Sequence, residues 1–304
     1  MSKTLIRVVL GLLVVAGLAV TGWVKVSNVE AQSPVTGTWT ASVDTKENSK
    51  IQLSFERHDR GHKNQMGESF EFADLQGLSR EQVLNGGPVS FSLVREAGRV
   101  DCEGSFQNGK GAGTFRFTGN LAFVSAMKSR GFNFERSVNG DAIDHGENKL
   151  FAATTLNVTT ALADDLLSAG FGKLQTEDLF KAAVFKIDSK FMREMKASGF
   201  ENLGMEELVK ARIFKIDAEF ARQVSQMGFQ KEPFESLVKM QIFKVTPEFI
   251  TEVRNEGLTI RQIEDLVKLR IFKIDANYIR EAKADGVPLN VEELVRRRIG
   301  VERR

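Results

Sequence analysis

The amino-acid sequence predicts an α+β protein in which an antiparallel β meander or sandwich domain is followed by an α-solenoid of short helix-turn-helix repeats. Two patterns support this prediction. Apolar and polar residues alternate over positions 34–118, and a 29-residue unit recurs through the carboxy-terminal half. Alternation of period two is typical of strands that bury one face, whereas a fixed repeat length is typical of stacked helical units.

The composition narrows the class of protein. The chain has 304 residues, of which 42% are hydrophobic and 27% are charged, so it can build a core. Lys and Arg number 42 against 40 Asp and Glu, which gives a formal net charge of only +2. Dedicated nucleic-acid binders carry a strong basic excess, so we expect no nucleic-acid partner. The single cysteine, Cys102, excludes an intramolecular disulfide and a cysteine-rich zinc site.

Residues 1–31 have the features of a signal peptide or a membrane anchor. Lys3 and Arg7 precede the uncharged stretch 8–24, whose length lies between a signal-peptide core and a short membrane span. Two alternatives stay open: cleavage after this segment, or its retention with membrane association through residues 5–24. In both, the positive amino end stays inside and the remaining chain is exported. We therefore expect the periplasm or the outer face of an inner membrane.

A β domain is predicted over residues 34–118. We expect a small sandwich or a curled sheet of about six strands, each with one apolar face. Turn signals at Glu96-Ala97-Gly98 and Asn108-Gly109 predict that the last three strands form a meander, and Ser79 is expected to cap a short helix over Arg80–Leu84. The residues predicted to face the core are Trp39, Ala41, Val43, Ile51, Leu53, Phe55, Phe70, Phe72, Val89, Phe91, Leu93, Val100, Cys102, Phe106, Phe115 and Phe117.

A helical repeat domain is predicted over residues 119–304, with a degenerate first unit at 120–158 followed by five units of about 29 residues. The tetrapeptide Phe-Lys-Ile-Asp, or a close variant, recurs every 29 residues from Phe185 onward. A periodic glycine is expected to end the first helix of each unit, because that position often needs positive φ. These glycines are Gly170, Gly199, Gly228, Gly257 and Gly286.

Each unit reads as two short helices. The first is expected to begin at an N-cap, whose side-chain oxygen accepts a hydrogen bond from a free amide of the first turn. The N-caps are Thr159, Asp188, Asp217, Thr246 and Asp275. The second helix is expected to carry apolar Leu208, Val209 and Ile213 or their equivalents, with the leucine register running Leu179, Leu208, Leu237, Leu266 and Val295. Five i,i+4 ion pairs are predicted on its solvent face: Glu177/Lys181, Glu206/Lys210, Glu235/Lys239, Glu264/Lys268 and Glu293/Arg297.

Candidate functional residues are sparse. His58 and His62 are four residues apart, as in metalloproteases, but Asp replaces the catalytic Glu and the surroundings are typical of a solvated hairpin loop. These two histidines are weak metal-ligand candidates, and no catalytic residue or cofactor is predicted. Lys186, Lys215, Lys244 and Lys273 recur at the repeat spacing and are the candidate partner-binding residues. Their alternative interpretation is a solvated edge beside the N-cap acids.

The repeat resembles the short two-helix repeats of uncharacterised exported bacterial proteins. An aromatic residue after the N-cap, a periodic Gly-Phe and the pattern Leu-x-x-x-x-Ile-Phe-Lys-Ile-Asp carry the resemblance. In some relatives such repeats, behind a small β domain with strands like those of Trp39 and Cys102, form the accessory region of membrane zinc peptidases of the β-lactam-sensor type. The peptidase zinc motif is missing here, so the resemblance implies a stand-alone envelope module and supplies no catalytic residue.

These observations predict a function in binding. We expect a non-enzymatic, exported scaffold that binds a protein partner through its helical-repeat surface, since solenoids offer extended surfaces of this kind. An alternative is a regulatory or sensory companion of an envelope zinc peptidase. A third is a metal-dependent enzyme that uses His58 and His62.

Overall fold

The structure is a computed structural model that describes residues 35–43, 49–59, 62–135, 145–230 and 232–300, without the side chains of 58–59, 62–64 and 145–148. The predicted signal or anchor over residues 1–31 lies outside this part of the chain. Residues Pro34–Arg304 form one compact unit. No helix in the described ranges combines the length and the apolar character that a membrane crossing requires.

The amino-terminal part of this unit is one seven-stranded antiparallel sheet with the spatial order β3-β2-β1-β7-β6-β5-β4. The expected curled sheet is therefore confirmed and the alternative of a sandwich is wrong. The strands are β1 (Val35–Val43), β2 (Lys50–Asp59), β3 (His62–Glu71), β4 (Leu75–Gln76), β5 (Gly87–Arg95), β6 (Gly98–Gln107) and β7 (Lys110–Gly119). Their last three members form the predicted meander through turns at Glu96-Ala97 and Asn108-Gly109.

The inner face of the sheet buries the alternating apolar residues that the sequence indicated. Trp39, Phe55 and Phe117 are at most 2% exposed. Gly113 and Gly104 make room where the strands approach most closely, because a Cβ on Gly113 would lie 1.9 Å from the Glu103 carbonyl oxygen. The predicted core residue Phe72 instead sits half-buried in a single 3-10 turn between β3 and β4.

Thirteen helices are described. The first connects β4 to β5 and packs against β5 and β6, and the others form six consecutive pairs. Their bounds are α1 (Arg80–Asn85), α2 (Leu121–Ser129), α3 (His145–Thr155), α4 (Thr160–Ser168), α5 (Thr176–Phe185), α6 (Ser189–Ala197), α7 (Met205–Ile213), α8 (Ala218–Gln226), α9 (Phe234–Ile242), α10 (Pro247–Asn255), α11 (Ile263–Ile271), α12 (Ala276–Ala284) and α13 (Val291–Ile299). Ser79 caps α1 through a capping box with Gln82, as predicted.

The second helix of each pair packs on the second helix of the next, in the order α5, α7, α9, α11 and α13. First helices contact in the same way, from α2 through α4 and α6 to α8, and again between α10 and α12. Every predicted N-cap accepts a bond from the amide three residues on, as Asp188 does from Phe191 at 2.7 Å. The stacked hairpins therefore begin where the sequence indicated.

The sheet and the first hairpin share one core. Helix α3 lies against β5, β6 and β7. Its Phe151 stacks on Phe115 with ring centres 5.3 Å apart and meets Phe55 and Phe117 edge-on. The sheet therefore covers the apolar end of the helical array, which would otherwise face water.

The predicted leucine register is wrong by one residue in the last hairpin. Helix α13 begins at Val291, 28 residues after the start of α11 at Ile263. Leu294 is fully buried in the place predicted for Val295, which is only half-buried. A unit one residue shorter keeps the same core contact, because the deletion lies in the loop before the helix and not within it.

Candidate functional site

A lysine follows the carboxy-terminal end of the second helix in each of four successive hairpins. Lys186, Lys215, Lys244 and Lys273, called the turn lysines below, follow α5, α7, α9 and α11 with φ between 52° and 54°. The residue after each donates its amide to a carbonyl five residues back, as Ile216 does to Ala211 at 2.8 Å. This is the Schellman arrangement, in which the residue of positive φ is usually glycine.

The turn lysines carry backbone strain. A residue with a Cβ in the left-handed region costs about 1 kcal/mol or more relative to glycine, since its Cβ crowds the next carbonyl. All four side chains are exposed, so burial does not offset this cost. Local folding alone therefore favours glycine at these four positions.

The turn lysines also stand apart from the other lysines of the array. None of the four makes an ion pair or side-chain hydrogen bond within the described ranges. The lysines in the middle of the second helices all bridge to the next hairpin, in pairs called the ladder below. The ladder pairs are Lys149–Glu177 (3.2 Å), Lys181–Glu206 (2.5 Å), Lys210–Glu235 (2.6 Å), Lys239–Glu264 (3.1 Å) and Lys268–Glu292 (2.5 Å).

The predicted i,i+4 pairs are wrong for the four lysines, each of which forms its ion pair with the next hairpin instead. Lys210 lies four residues after Glu206, yet its ammonium group bonds Glu235 of the following helix at 2.6 Å. At the end of the array, Arg297 pairs with Asp285, and Glu293 pairs with Arg296. The charges of the second helices are thus used between hairpins, and in the part of the chain that the structure describes the turn lysines have no partner.

An exposed apolar residue precedes each turn lysine by two positions. Ile213 and its equivalents lie on the second helices, as expected, but they face solvent, whereas Ala211 and Ile216 are buried. The exposed residues, called the aliphatic column below, are Val184 (52% exposed), Ile213 (54%), Ile242 (51%), Ile271 (50%) and Ile299 (54%). Single exposed aliphatic residues are ordinary on protein surfaces, but five in one register are not.

Arginines hold the backbone of this edge in place. The guanidinium carbon of Arg212 lies 3.7 Å from the ring centre of Phe191, and one of its nitrogens donates to the Lys186 carbonyl oxygen at 2.7 Å. Arg270 stacks in the same way on Phe249 at 3.8 Å. Arg212 therefore ties the turn at Lys186 to the following hairpin, and the stacking of both arginines orders the second helices beside the turns. We call the turn lysines and the aliphatic column together the turn edge.

A groove lies between α6 and α8, near the loops that join the first helix of each hairpin to the second. It comprises two adjoining depressions of about 830 and 700 Å³. Phe200, Phe229 and Phe234 line the larger one together with Glu201 and Glu232. The lining mixes aromatic and acidic side chains and belongs to two hairpins only, so it does not share the fourfold repetition of the turn lysines.

The two candidate metal ligands belong to the β2–β3 hairpin. His58 lies on β2 and His62 on β3, near the end of the hairpin that pairs Asp59 with His62, but both side chains fall outside the described residues. Within the described ranges, no group of three or more His, Cys, Asp or Glu side chains could hold a metal ion. Cys102 is 1% exposed on the inner face of the sheet, and this burial raises the pKa of its thiol well above the ordinary value.

The fold and the turn edge define a class of protein: an array of helical hairpins covered at one end by a curled sheet. In comparisons with family models, curated proteins and solved structures, nothing matches the chain.

Proposed function

We propose that the protein is a non-enzymatic, exported interaction module that binds a protein partner through the turn edge. The observation that carries this proposal is the placing of lysine at four successive positions where the backbone favours glycine. Strain of this kind is retained where the side chain has a role outside the fold. The unpaired charges and the exposed aliphatic column supply the polar and apolar contacts of such a role.

A rigid, repeated edge suits partner binding better than catalysis. The amide–carbonyl bond that closes each of the four turns holds its backbone in place, so little backbone entropy is lost when a partner binds. The edge presents a row of lysines and a row of aliphatic side chains, and the neighbouring aspartates Asp188, Asp217 and Asp275 accept the capping bonds of the next helices. Export is part of the proposal through the uncharged stretch 8–24 and its flanking positive residues.

Site-specific photo-crosslinking in the source cells tests the proposal. A photoreactive amino acid replaces Asn277, an exposed residue in the first turn of α12, four positions after the turn lysine Lys273. The matched control places it at Asn202, an exposed residue in the α6–α7 loop beside the groove. We expect one discrete protein adduct from position 277 that is absent from position 202. An adduct from 202 alone would assign binding to the groove and contradict the proposal.

A further inference from the structure

The partner of the turn edge can be described by its chemistry. Four ammonium groups that have no partner among the described residues recur with one charge per hairpin, and the ladder is neutralised pair by pair. Charge complementarity therefore calls for carboxylates on the partner at the same spacing. The aliphatic column adds one exposed apolar side chain per hairpin, so the partner must also offer apolar contacts at that spacing.

The spacing of the turn lysines favours one backbone conformation of the bound partner segment. Packed helices lie about 8–10 Å apart, and the turn lysines follow second helices that pack in order, so we expect the lysines at about this pitch. A polyproline II segment has three residues per turn and a rise of about 3.1 Å, so every third side chain projects to the same side at about 9.3 Å. In a β-strand, side chains on the same side recur at about 6.6 Å. In an α-helix they recur at about 5.4 Å.

We propose that the turn edge binds an acidic segment of its partner in the polyproline II conformation. This inference rests on the proposed function. The segment carries an acidic residue at every third position and an apolar residue between them. Its carboxylates pair with Lys186, Lys215, Lys244 and Lys273. Its apolar side chains form a second row at the same pitch and contact the aliphatic column.

A second copy of the chain is a poorer occupant. A symmetric dimer formed through this surface would bring two rows of turn lysines to one contact, and like charges in a contact are unfavourable. The acids closest in sequence, Asp188, Asp217 and Asp275, are already engaged as N-caps of α6, α8 and α12.

Fluorescence anisotropy with two synthetic peptides tests the inference on the full-length protein. The first peptide is four repeats of Glu-Leu-Pro. The second has the same composition, but its glutamates are grouped at one end. We expect the first to bind at least about tenfold more tightly, because only its carboxylates match all four turn lysines. Equal affinities would overturn the inference.

Matched variants separate this site from general charge attraction. The double variant Lys215→Gln/Lys244→Gln is expected to weaken binding of the first peptide about tenfold, as the loss of two exposed ion pairs allows. The control Lys196→Gln/Lys283→Gln removes the same charge from exposed, unpaired lysines at the other end of the first helices and is expected to leave affinity unchanged. Equal losses in both variants would contradict a specific site.

The aliphatic column is tested in the same assay. Ile213→Ser/Ile242→Ser is expected to weaken binding, whereas Leu167→Ser, which changes an exposed leucine of α4, is not. Sedimentation that shows a dimer abolished by the double serine variant would assign the surface to a second copy and overturn the inference. A cross-link from position 277 together with equal peptide affinities would leave the proposed function standing and remove only the acidic segment.

Discussion

Gly199 and Lys215 occupy equivalent positions just after the carboxy-terminal ends of two consecutive helices, α6 and α7. Each follows the last turn of its helix with positive φ, of 97° and 54° respectively. In both cases the next residue donates its amide to a carbonyl five residues back, Phe200 to Met195 and Ile216 to Ala211. The same backbone motif therefore ends both helices of a hairpin, with glycine after the first helix and lysine after the second. This difference is the physical basis for treating the lysines as functional.

The first prediction concerns Lys215→Gly. Glycine adopts positive φ without a Cβ clash, so we expect the free energy of unfolding to rise by about 0.5–1 kcal/mol. The control Lys196→Gly lies inside α6, where glycine is expected to lower it by about 0.5–1 kcal/mol. Urea unfolding followed by circular dichroism measures both changes. A loss of stability in Lys215→Gly would show that the lysine supports the fold.

The second prediction concerns the ladder. Lys210→Glu and Glu235→Lys each place like charges side by side across two hairpins, so each is expected to lower the urea midpoint. The double variant reverses the pair and should recover most of the loss. Salt at 1 M shortens the screening length to about 3 Å, so the coupling should nearly vanish there. Losses that simply add in the double variant would show that the 2.6 Å contact is not an interaction that contributes to stability.

The sequence predicted the helices better than the surface they form. Asp188 and its equivalents marked helix starts, and Gly199 and its equivalents marked helix ends, because caps depend on local chemistry. Lys215 carried no such signal, since lysine seldom adopts positive φ. The partner of Lys210 was missed because Glu206 and Glu235 are both close to it, one along the helix and one across the stack. Only the packing of the helices decides between them.

The third prediction concerns pH and Asp165 of α4. Its carboxylate accepts hydrogen bonds from the Ser189 hydroxyl at 2.6 Å and the Ser189 amide at 2.7 Å, and both lower its pKa below the ordinary value of 3.8. Because the folded state favours the charged form, the carboxylate contributes stability above pH 3.8 that is lost as the pH falls through the lowered pKa. Asp165→Asn should therefore lower the urea midpoint at pH 7, with a difference that disappears in acid.

Asp265 of α11 provides a control of opposite sign. Partial burial raises its pKa above 3.8, so its charged form is disfavoured in the folded state. Asp265→Asn is expected to raise the urea midpoint at pH 7 and to have no effect at low pH, where the wild-type carboxyl is protonated. The same sign of change in both variants would contradict the assignment of the two shifts.

The fourth prediction concerns the contact between the sheet and the array. Phe151→Ala removes a ring packed against Phe55, Phe115 and Phe117, and should cost about 3–5 kcal/mol. Because α3 belongs to the first hairpin, the loss should shift two unfolding transitions together: the fluorescence of Trp39, which is buried in the sheet, and the circular dichroism of the helices. A shift in the fluorescence transition alone would show that the array is stable without the sheet.

The core residues of the sheet were predictable from the sequence, but the helix that covers them was not. Trp39, Phe55 and Phe117 alternate with polar neighbours, so their burial follows from the period of a strand. The sequence did not identify the element that covers this face, because Phe151 lies in a helix separated from β7 by the whole of α2. Its contact with the sheet depends on how the first hairpin folds back, which no local pattern encodes.

The most direct test of the central claim combines stability and binding in one protein. The variant replaces all four turn lysines, Lys186, Lys215, Lys244 and Lys273, by glycine and carries the photoreactive residue at position 277. We predict a higher urea midpoint than that of the wild type and loss of the cross-linked partner. An equally strong cross-link from this more stable variant would contradict the claim that these lysines are kept for binding.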